Sequence, residues 1–247
     1  MTISNNFRAF RFSALVLALL LFGGVATTAQ AQQAAVQTAD TQAEITPESA
    51  LELLKAGNER FVNGEMMNRD YMEQVETTAD GQYPYAVVLS CIDSRVPPEL
   101  VFDQGVGDIF TARVAGNFVN TDILGSMEFA TAVAGSKLIV ILGHTECGAV
   151  KGACDHVEMG NLTHLLSNIG PALYATETDG ERSSSNSEFV HAVTEKNVHN
   201  NVHNVLERSS VIQEQVQNGE VMVIGALHNV ATGEVTFYDP PEMTEGP

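Results

Sequence analysis

The sequence predicts an α/β fold: a mainly parallel four-stranded sheet with an antiparallel edge strand, flanked by helices. Three predicted strands, 85–90, 137–143 and 221–227, are nearly continuous runs of apolar residues. Such runs are typical of parallel strands that helices cover on both faces. Helical patterns alternate with the strands, which indicates crossover connections between parallel neighbours. We therefore expect one domain over residues 46–240, a length that can bury a sizeable core.

The first half of this domain begins with a capped helix. In "TPESALELLKAGNERF", Thr46 can cap the helix, Pro47 suits its first turn and Glu48 favours its positive end. "IFTARVA" (109–115) is rich in β-branched and apolar residues and supplies the remaining parallel strand. A second helix is predicted in "NTDILGSMEFATAVAGS" (120–136), which starts with a capping residue and an acid.

The second half contains a polar loop, a long helix and the edge strand. "TETDGERSSSNS" (176–187) predicts the loop, and the helix follows in "SEFVHAVTEKNVHNNVHNVLERS" (187–209). Its apolar side is formed by residues at helical spacing that continue beyond it: Val198, Val202, Val205, Ile212 and Val216. The last strand, 234–239, follows a turn at Gly233, so we expect it to pair antiparallel at an edge.

The two ends of the chain carry targeting and linker features. Residues 1–31 are predicted to be a signal peptide, with Arg8 and Arg11 before an apolar stretch and a small-residue cleavage site. A retained N-terminal anchor is the alternative, although the apolar run is short for a membrane span. We expect residues 32–45 to be a flexible lead-in and 241–247 a C-terminal tail. The mature protein would be periplasmic or secreted, without stable membrane insertion.

The charge and the cysteines narrow the class of protein further. The formal net charge is −19, and removal of Arg8 and Arg11 with the signal would make it more negative. Such a surface repels phosphate backbones, which argues against a nucleic-acid partner. The three cysteines are too few, and odd in number, for a disulfide framework. Thiols in an oxidising compartment then need burial or a metal to protect them.

Chemically active side chains follow two of the predicted strands. Cys91, Asp93 and Arg95 follow the strand at 85–90 in "CIDSR". His144 and Cys147 follow the strand at 137–143 in "GHTECGAV". Ligands in open α/β sheets collect beyond the carboxyl ends of strands, so these groups converge if the strands are neighbours. Two thiolates and one imidazole favour zinc, and three protein ligands with one open position define its catalytic type. The sequence therefore predicts a catalytic Zn²⁺ site.

Other interpretations of these groups stay open at this point. Cys91 and Cys147 can form a disulfide in an exported protein, or each can be a small buried side chain. Asp93 and Arg95 can be an ordinary ion pair at a surface turn. The zinc interpretation is favoured because both motifs lie where strands of one sheet should end.

Three further residues have metal-binding chemistry but a different interpretation. His199 and His203 lie four apart on the long helix and flank its apolar side. With no third ligand in reach by sequence, we interpret them as solvated helix histidines. Cys154 lies seven residues beyond Cys147, on the same helix face, and we interpret it as a small buried side chain.

The paired motifs resemble those of the β class of carbonic anhydrases, here in an exported bacterial form. The likeness extends to "LELLKAGNERF", "DQGVGDIFTARVAGN" and "VIGALHNVATGEV", and so covers about residues 46–240. The resemblance implies reversible hydration of carbon dioxide to bicarbonate and a proton, in a homodimer or homotetramer. It also implies zinc ligands beside a paired acid and base: Cys91, His144 and Cys147, with Asp93 and Arg95.

Two positions depart from the pattern of relatives. Many relatives carry a glutamine just before a Pro-Gly-Glu turn, where it lines the carbon dioxide pocket, whereas Gln104 stands one step earlier here. Relatives often carry a tyrosine where this chain has His228. Neither change touches the predicted zinc ligands.

Two other functions remain compatible with the motifs. One is hydrolysis of carbonyl sulfide or carbon disulfide on the same fold, which pocket width and access would decide. The other is a zinc-binding protein without turnover. Asp93 and Arg95 argue against mere storage of zinc, because storage needs neither side chain.

The expected chemistry assigns a role to each group. Zinc lowers the pKa of bound water from about 15.7 towards 7 and supplies the hydroxide that attacks carbon dioxide. Two thiolates cancel the charge of Zn²⁺, so we expect less acidification than with three imidazoles, and an alkaline rate profile. Paired with Arg95, Asp93 stays ionised and accepts a hydrogen bond from the hydroxide. Without Arg95, Asp93 can become a fourth zinc ligand in a closed state.

Overall fold

A computed structural model describes Met1 and residues 35–241. Within residues 35–241, five strands form one sheet: β1 (Ala86–Ser90), β2 (Ile109–Arg113), β3 (Leu138–His144), β4 (Met222–His228) and β5 (Val235–Phe237). Their order is β2-β1-β3-β4-β5. Strands β1 to β4 are parallel, and β5 pairs antiparallel with β4 at an edge. The predicted fold class is confirmed.

Helices connect the strands and cover the sheet. Those of residues 35–241 are α1 (Ala39–Ala43), α2 (Pro47–Asn63), α3 (Tyr71–Thr77), α4 (Pro98–Val101), α5 (Thr121–Glu128), α6 (Gly148–Cys154), α7 (Gly160–Ser167), α8 (Gly170–Ala175), α9 (Ser187–Arg208) and α10 (Ser210–Gln217). A π-helical turn, Phe129–Val133, continues α5. Among the described helices, none is long and apolar enough to span a membrane. The predicted signal peptide lies outside the described residues except for Met1, and the tail outside them except for residue 241.

Both faces of the sheet are buried, which explains the continuous apolar strands. One face packs mainly against α9 and α10, through Val87, Leu89, Ile139, Ile141 and Val223 with Val198, Val202, Val205 and Ile212. The other packs against α2 and α4, through Val88, Val140, Leu142 and Ile224 with Leu54, Val101 and Phe102. Successive residues of each strand therefore point into different cores. A polar residue would be buried on whichever face of the sheet it pointed to.

Local capping explains where two helices begin. The Thr46 side chain accepts a hydrogen bond from the backbone of Ser49, and Pro47 occupies the first turn, so the predicted start of α2 is confirmed. The apolar stripe predicted across residues 198–216 is divided between two helices. Ser209 ends α9 and caps α10 by accepting a hydrogen bond from the Ile212 N–H.

The lead-in predicted to be flexible contains a short helix. Thr38 caps α1 (Ala39–Ala43), and the Gln42 side chain donates hydrogen bonds of 2.8 and 2.9 Å to the carbonyls of Pro84 and Ala134. The bonded residues are separated by 42 and 92 positions in the sequence. The pattern of neighbouring residues therefore does not predict these bonds. The sequence analysis did not predict this helix.

The contact between α2 and α4 leads to a stability prediction. A Cβ added at Gly57 would lie closer than 3.0 Å to the Phe102 carbonyl oxygen, a separation that real Cβ atoms essentially never show. Helix propensity alone would make Gly57→Ala stabilising by about 1 kcal/mol. We expect the clash to prevail and to lower the free energy of unfolding by about 1–3 kcal/mol in urea titrations.

Gly125→Ala is the matched control, because Gly125 lies in α5 and its added Cβ meets nothing within 4 Å. It should leave the free energy of unfolding unchanged or raise it by up to about 1 kcal/mol. Equal stabilisation by both substitutions would show that α2 does not approach α4 this closely.

Candidate metal centre

The three predicted metal ligands meet at the carboxyl end of the sheet. Cys91 directly follows β1, and His144 is the last residue of the neighbouring strand β3. Cys147 is the N-cap residue of α6, after a turn in which Glu146 adopts the left-handed conformation. The ligand atoms of the three side chains lie within 4.8 Å of one another, and all three residues are buried. The predicted convergence is confirmed.

The two sulfurs are spaced for a shared metal and not for a disulfide. Cys91 Sγ and Cys147 Sγ are 4.0 Å apart, and both cysteines are free. A disulfide requires about 2.05 Å. Two sulfurs bound tetrahedrally to one zinc ion, each at about 2.3 Å, would be about 3.8 Å apart. The alternative disulfide is therefore not formed in this structure.

His144 is oriented to offer one nitrogen to a metal. Its Nδ1 lies 2.9 Å from the Thr145 carbonyl oxygen, which can only accept, so Nδ1 carries the hydrogen. The other nitrogen, Nε2, is buried and has no hydrogen-bond partner among the described residues. A buried nitrogen without a partner is costly, and a metal ion would satisfy it. The residues present therefore fit zinc.

Neighbouring groups shift the pKa values of the two thiols in opposite directions. The hydrogen bond with Cys147 lowers the pKa of the Cys91 thiol from 9.0 to about 4. The same contact, together with burial, raises the pKa of Cys147. Without a cation between them, ionisation of one sulfur therefore opposes ionisation of the other. A bound cation is what would allow both to be thiolates.

Asp93 and Arg95 form a two-pronged ion pair beside the metal ligands. Arg95 Nε donates to Asp93 Oδ1 at 2.9 Å, and Arg95 Nη2 donates to Asp93 Oδ2 at 2.8 Å. The Asp93 Oδ2 atom lies 4.0 Å from Nε2 of His144. The hydrogen bonds from the Arg95 side chain hold the pKa of Asp93 well below its usual range. Asp93 is therefore a carboxylate at neutral pH, directed along the edge of the ligand cluster.

Arg113 supports this loop, a role that the sequence analysis missed. From the end of β2, its Nε donates to the Cys91 carbonyl at 2.9 Å and its Nη2 to the Asp93 carbonyl at 2.6 Å. The Gly116 N–H points to Cys91 Sγ at 3.5 Å. The available signal was an arginine at the carboxyl end of a strand, level with Ser90 of β1.

The two positions that depart from the relatives have different surroundings. Gln104 is buried, donates to the Phe102 carbonyl and accepts a 2.6 Å hydrogen bond from the Tyr85 hydroxyl. Its amide is thus held inside its own chain. His228 pairs in register with His144 on the neighbouring strand, so both side chains share one face of the sheet. Burial lowers the pKa of His228 to about 4, and within residues 35–241 neither ring nitrogen has a hydrogen-bond partner.

The remaining candidates lie outside the ligand cluster. Cys154 is buried among the apolar residues of α6, as predicted, and burial raises its pKa. His199 and His203 are exposed on α9, as expected for solvated side chains. Among the described residues, the group within metal-binding distance is Cys91, His144 and Cys147.

Comparison with known proteins agrees with this geometry. Residues 86–235, more than half of the chain, match the carbonic anhydrase family. The chain is 35% identical over 199 residues to carbonic anhydrase 2 of Mycobacterium tuberculosis, an alignment that covers 78% of this chain and 93% of the relative. The matched region spans every strand that positions the ligand cluster.

Solved structures show the same architecture. The β-carbonic anhydrase CafA of Aspergillus fumigatus superimposes with a TM-score of 0.60 at 27% identity, covering 79% of this chain and 92% of that one. A chain from the two tetrameric β-carbonic anhydrases of Sordaria macrospora gives a TM-score of 0.58 at 25% identity, covering 74% and 90%.

Proposed function

Because this chain belongs to the β class of the carbonic anhydrase family, we propose that it hydrates carbon dioxide reversibly to bicarbonate and a proton. The observation that carries the proposal is the buried set of two cysteines and one histidine beside an ionised carboxylate: Cys91, Cys147, His144 and Asp93. Zinc, when bound by the two cysteines and the histidine, acts as a Lewis acid that brings the pKa of water close to neutrality.

The residues around the ligands hold the reacting groups in place. Asp93 is ionised and faces the site, so its Oδ2 can accept a hydrogen bond from the reacting water and fix its orientation. Arg95 prevents the carboxylate from turning inward by holding both of its oxygens. Arg113 fixes the backbone on either side of residue 92, which keeps Cys91 and Asp93 at a constant separation.

The proposed activity is tested by stopped-flow hydration of carbon dioxide on protein of measured zinc content. Carbonyl sulfide and carbon disulfide serve as parallel substrates. Faster turnover of either one would assign the site to that hydrolysis instead. Zinc-loaded protein with no turnover of any of the three would make it a zinc-binding protein.

The pH dependence of the rate follows from two pKa shifts. A lowered pKa keeps Asp93 charged, and a pKa of about 4 keeps His228 neutral, so neither group titrates between about pH 6 and 9. We expect kcat/KM for hydration to rise with pH through a single proton loss, with most of the rise above neutrality. Measurement across pH 5.5–9.5 checks this. A profile already complete below about pH 6.5 would contradict it, since the reference for zinc-bound water is about 7.

We also propose that the protein assembles with copies of itself, as a homodimer or homotetramer. The relatives from Sordaria macrospora are tetrameric. The edge strand β2 pairs on one side with β1, and three large apolar side chains near it are exposed: Leu100, Val106 and Phe129. An exposed edge with apolar flanks is suited to a second copy. Light scattering should give two or four chains, and a monomer would refute this assembly.

Export is proposed from the amino-terminal pattern alone. Arg8 and Arg11 precede an apolar stretch and a small-residue cleavage site that ends at Ala31. The mature chain would then begin at Gln32 in the periplasm or outside the cell. Intact-mass analysis of protein from fractionated cells tests this, and full-length protein in the cytoplasm would contradict it.

A further inference from the structure

The outer face of α9 carries a row of histidine and glutamate side chains. The five residues recur at a spacing of four: His191, Glu195, His199, His203 and Glu207. Side chains four apart on a helix are neighbours on one face. The opposite face of α9 is buried against the sheet, so these residues point away from the metal centre described above.

Three contacts already position part of this row. His203 Nε2 lies 2.9 Å from Glu207 Oε1, although both side chains are largely exposed. The His199 ring lies 4.7 Å from the Tyr238 ring, measured between centroids. The Tyr238 hydroxyl in turn donates to Glu195 at 3.1 Å. The Glu207 carboxylate thus holds His203, and the Tyr238 ring holds His199.

We propose that His199 and His203 chelate one divalent transition-metal ion, with Glu207 as the carboxylate that orients His203. Two histidines one helical turn apart can face a single ion. Imidazole suits zinc, copper and nickel, whereas Mg²⁺ and Ca²⁺ prefer oxygen ligands. Ligating histidines usually bond a carboxylate through their other ring nitrogen, as His203 does with Glu207.

The structure adds what the spacing alone did not contain. The structure places the Glu207 carboxylate on His203 as an orienting partner, while the two histidines remain the ligands of the proposed site. Glu195 and Glu207 flank the pair on either side, and their negative charges attract cations to it. Rotation of the exposed imidazoles toward a common ion takes nanoseconds or less.

The test counts zinc ions in tag-free, full-length protein by isothermal titration and equilibrium dialysis. We expect two zinc ions per chain: one held through dialysis and a second, weaker one. His199→Ala and His203→Ala should each lose the second ion, and Glu207→Gln should bind it at least about tenfold more weakly. Mg²⁺ should not compete. Carbon dioxide hydration should be unchanged in these variants, because none of the substituted residues belongs to the metal centre.

Two controls make the result specific to this pair. His164→Ala removes an exposed histidine from α7, and His191→Ala removes the one that faces Glu195 instead. Both should keep the second ion. One zinc ion per chain in the wild type, or a second ion retained in His199→Ala and His203→Ala, would overturn the proposal. Half an ion per chain with larger assemblies would also overturn it, since the ion would then bridge two copies.

Discussion

Cys147→Ser is expected to remove zinc from the centre and to lower kcat/KM for carbon dioxide hydration by at least about 1000-fold. Cys147 supplies one of two sulfurs that lie 4.0 Å apart, and it is fully buried at the start of α6. A serine hydroxyl is a poor substitute for a thiolate in a soft ligand set. Without the ion, the reaction rests on water with a pKa of about 15.7 instead of about 7.

Cys154→Ser is the matched control for this prediction. Cys154 is also free and buried, ends the same helix and is not part of the ligand cluster. It should keep a full equivalent of zinc and a nearly unchanged rate, even if burial of its hydroxyl costs about 1–3 kcal/mol of stability. Metal analysis, hydration rates and circular dichroism are measured on both variants. Full zinc and full activity in Cys147→Ser would refute the ligand assignment.

Arg95→Ala is expected to lower hydration at neutral pH by at least about 100-fold while zinc stays bound. Both guanidinium bonds to Asp93 are lost, and the freed Oδ2 starts 4.0 Å from His144 Nε2. The carboxylate can then turn toward the metal and become a fourth ligand. A loss of this size is at the lower end of what a positioned acid–base group contributes. Release of zinc to a chelator should be slower than in the wild type, because one more protein ligand holds the ion.

Lys151→Ala distinguishes this effect from a general loss of positive charge. Lys151 pairs with Glu146, the residue before Cys147, and does not bond to Asp93. Its replacement should change the rate less than about twofold, as expected for an exposed ion pair. Wild-type activity in Arg95→Ala at neutral pH would remove the role given to the pair. Faster zinc release from Arg95→Ala than from the wild type would show that Asp93 does not become a ligand.

The sheet and the metal ligands were predictable because each rests on a local signal. Strands β1, β3 and β4 are nearly continuous runs of apolar residues since both faces are covered, and parallel neighbours bring their carboxyl ends together. Cys91 and His144 stand directly at such ends, so fold and site were one inference.

What could not be predicted depends on contacts between distant parts of the chain. Arg113 acts through the carbonyls of Cys91 and Asp93, and backbone carbonyls have no sequence signature. Gln42 anchors α1 in the same way. The break at Ser209 was hidden because α9 and α10 bury one continuous apolar face. A serine inside a helical pattern is compatible with either a helix interior or a cap.

The most direct test of the account is zinc X-ray absorption on the purified protein, with metal content measured on the same sample. The account predicts one zinc ion per metal centre, with two sulfur neighbours at about 2.3 Å and lighter nitrogen or oxygen neighbours at about 2.0–2.1 Å. Cys147→Ser should remove this signal. A zinc shell without sulfur, or active protein that holds no zinc at all, would contradict the account.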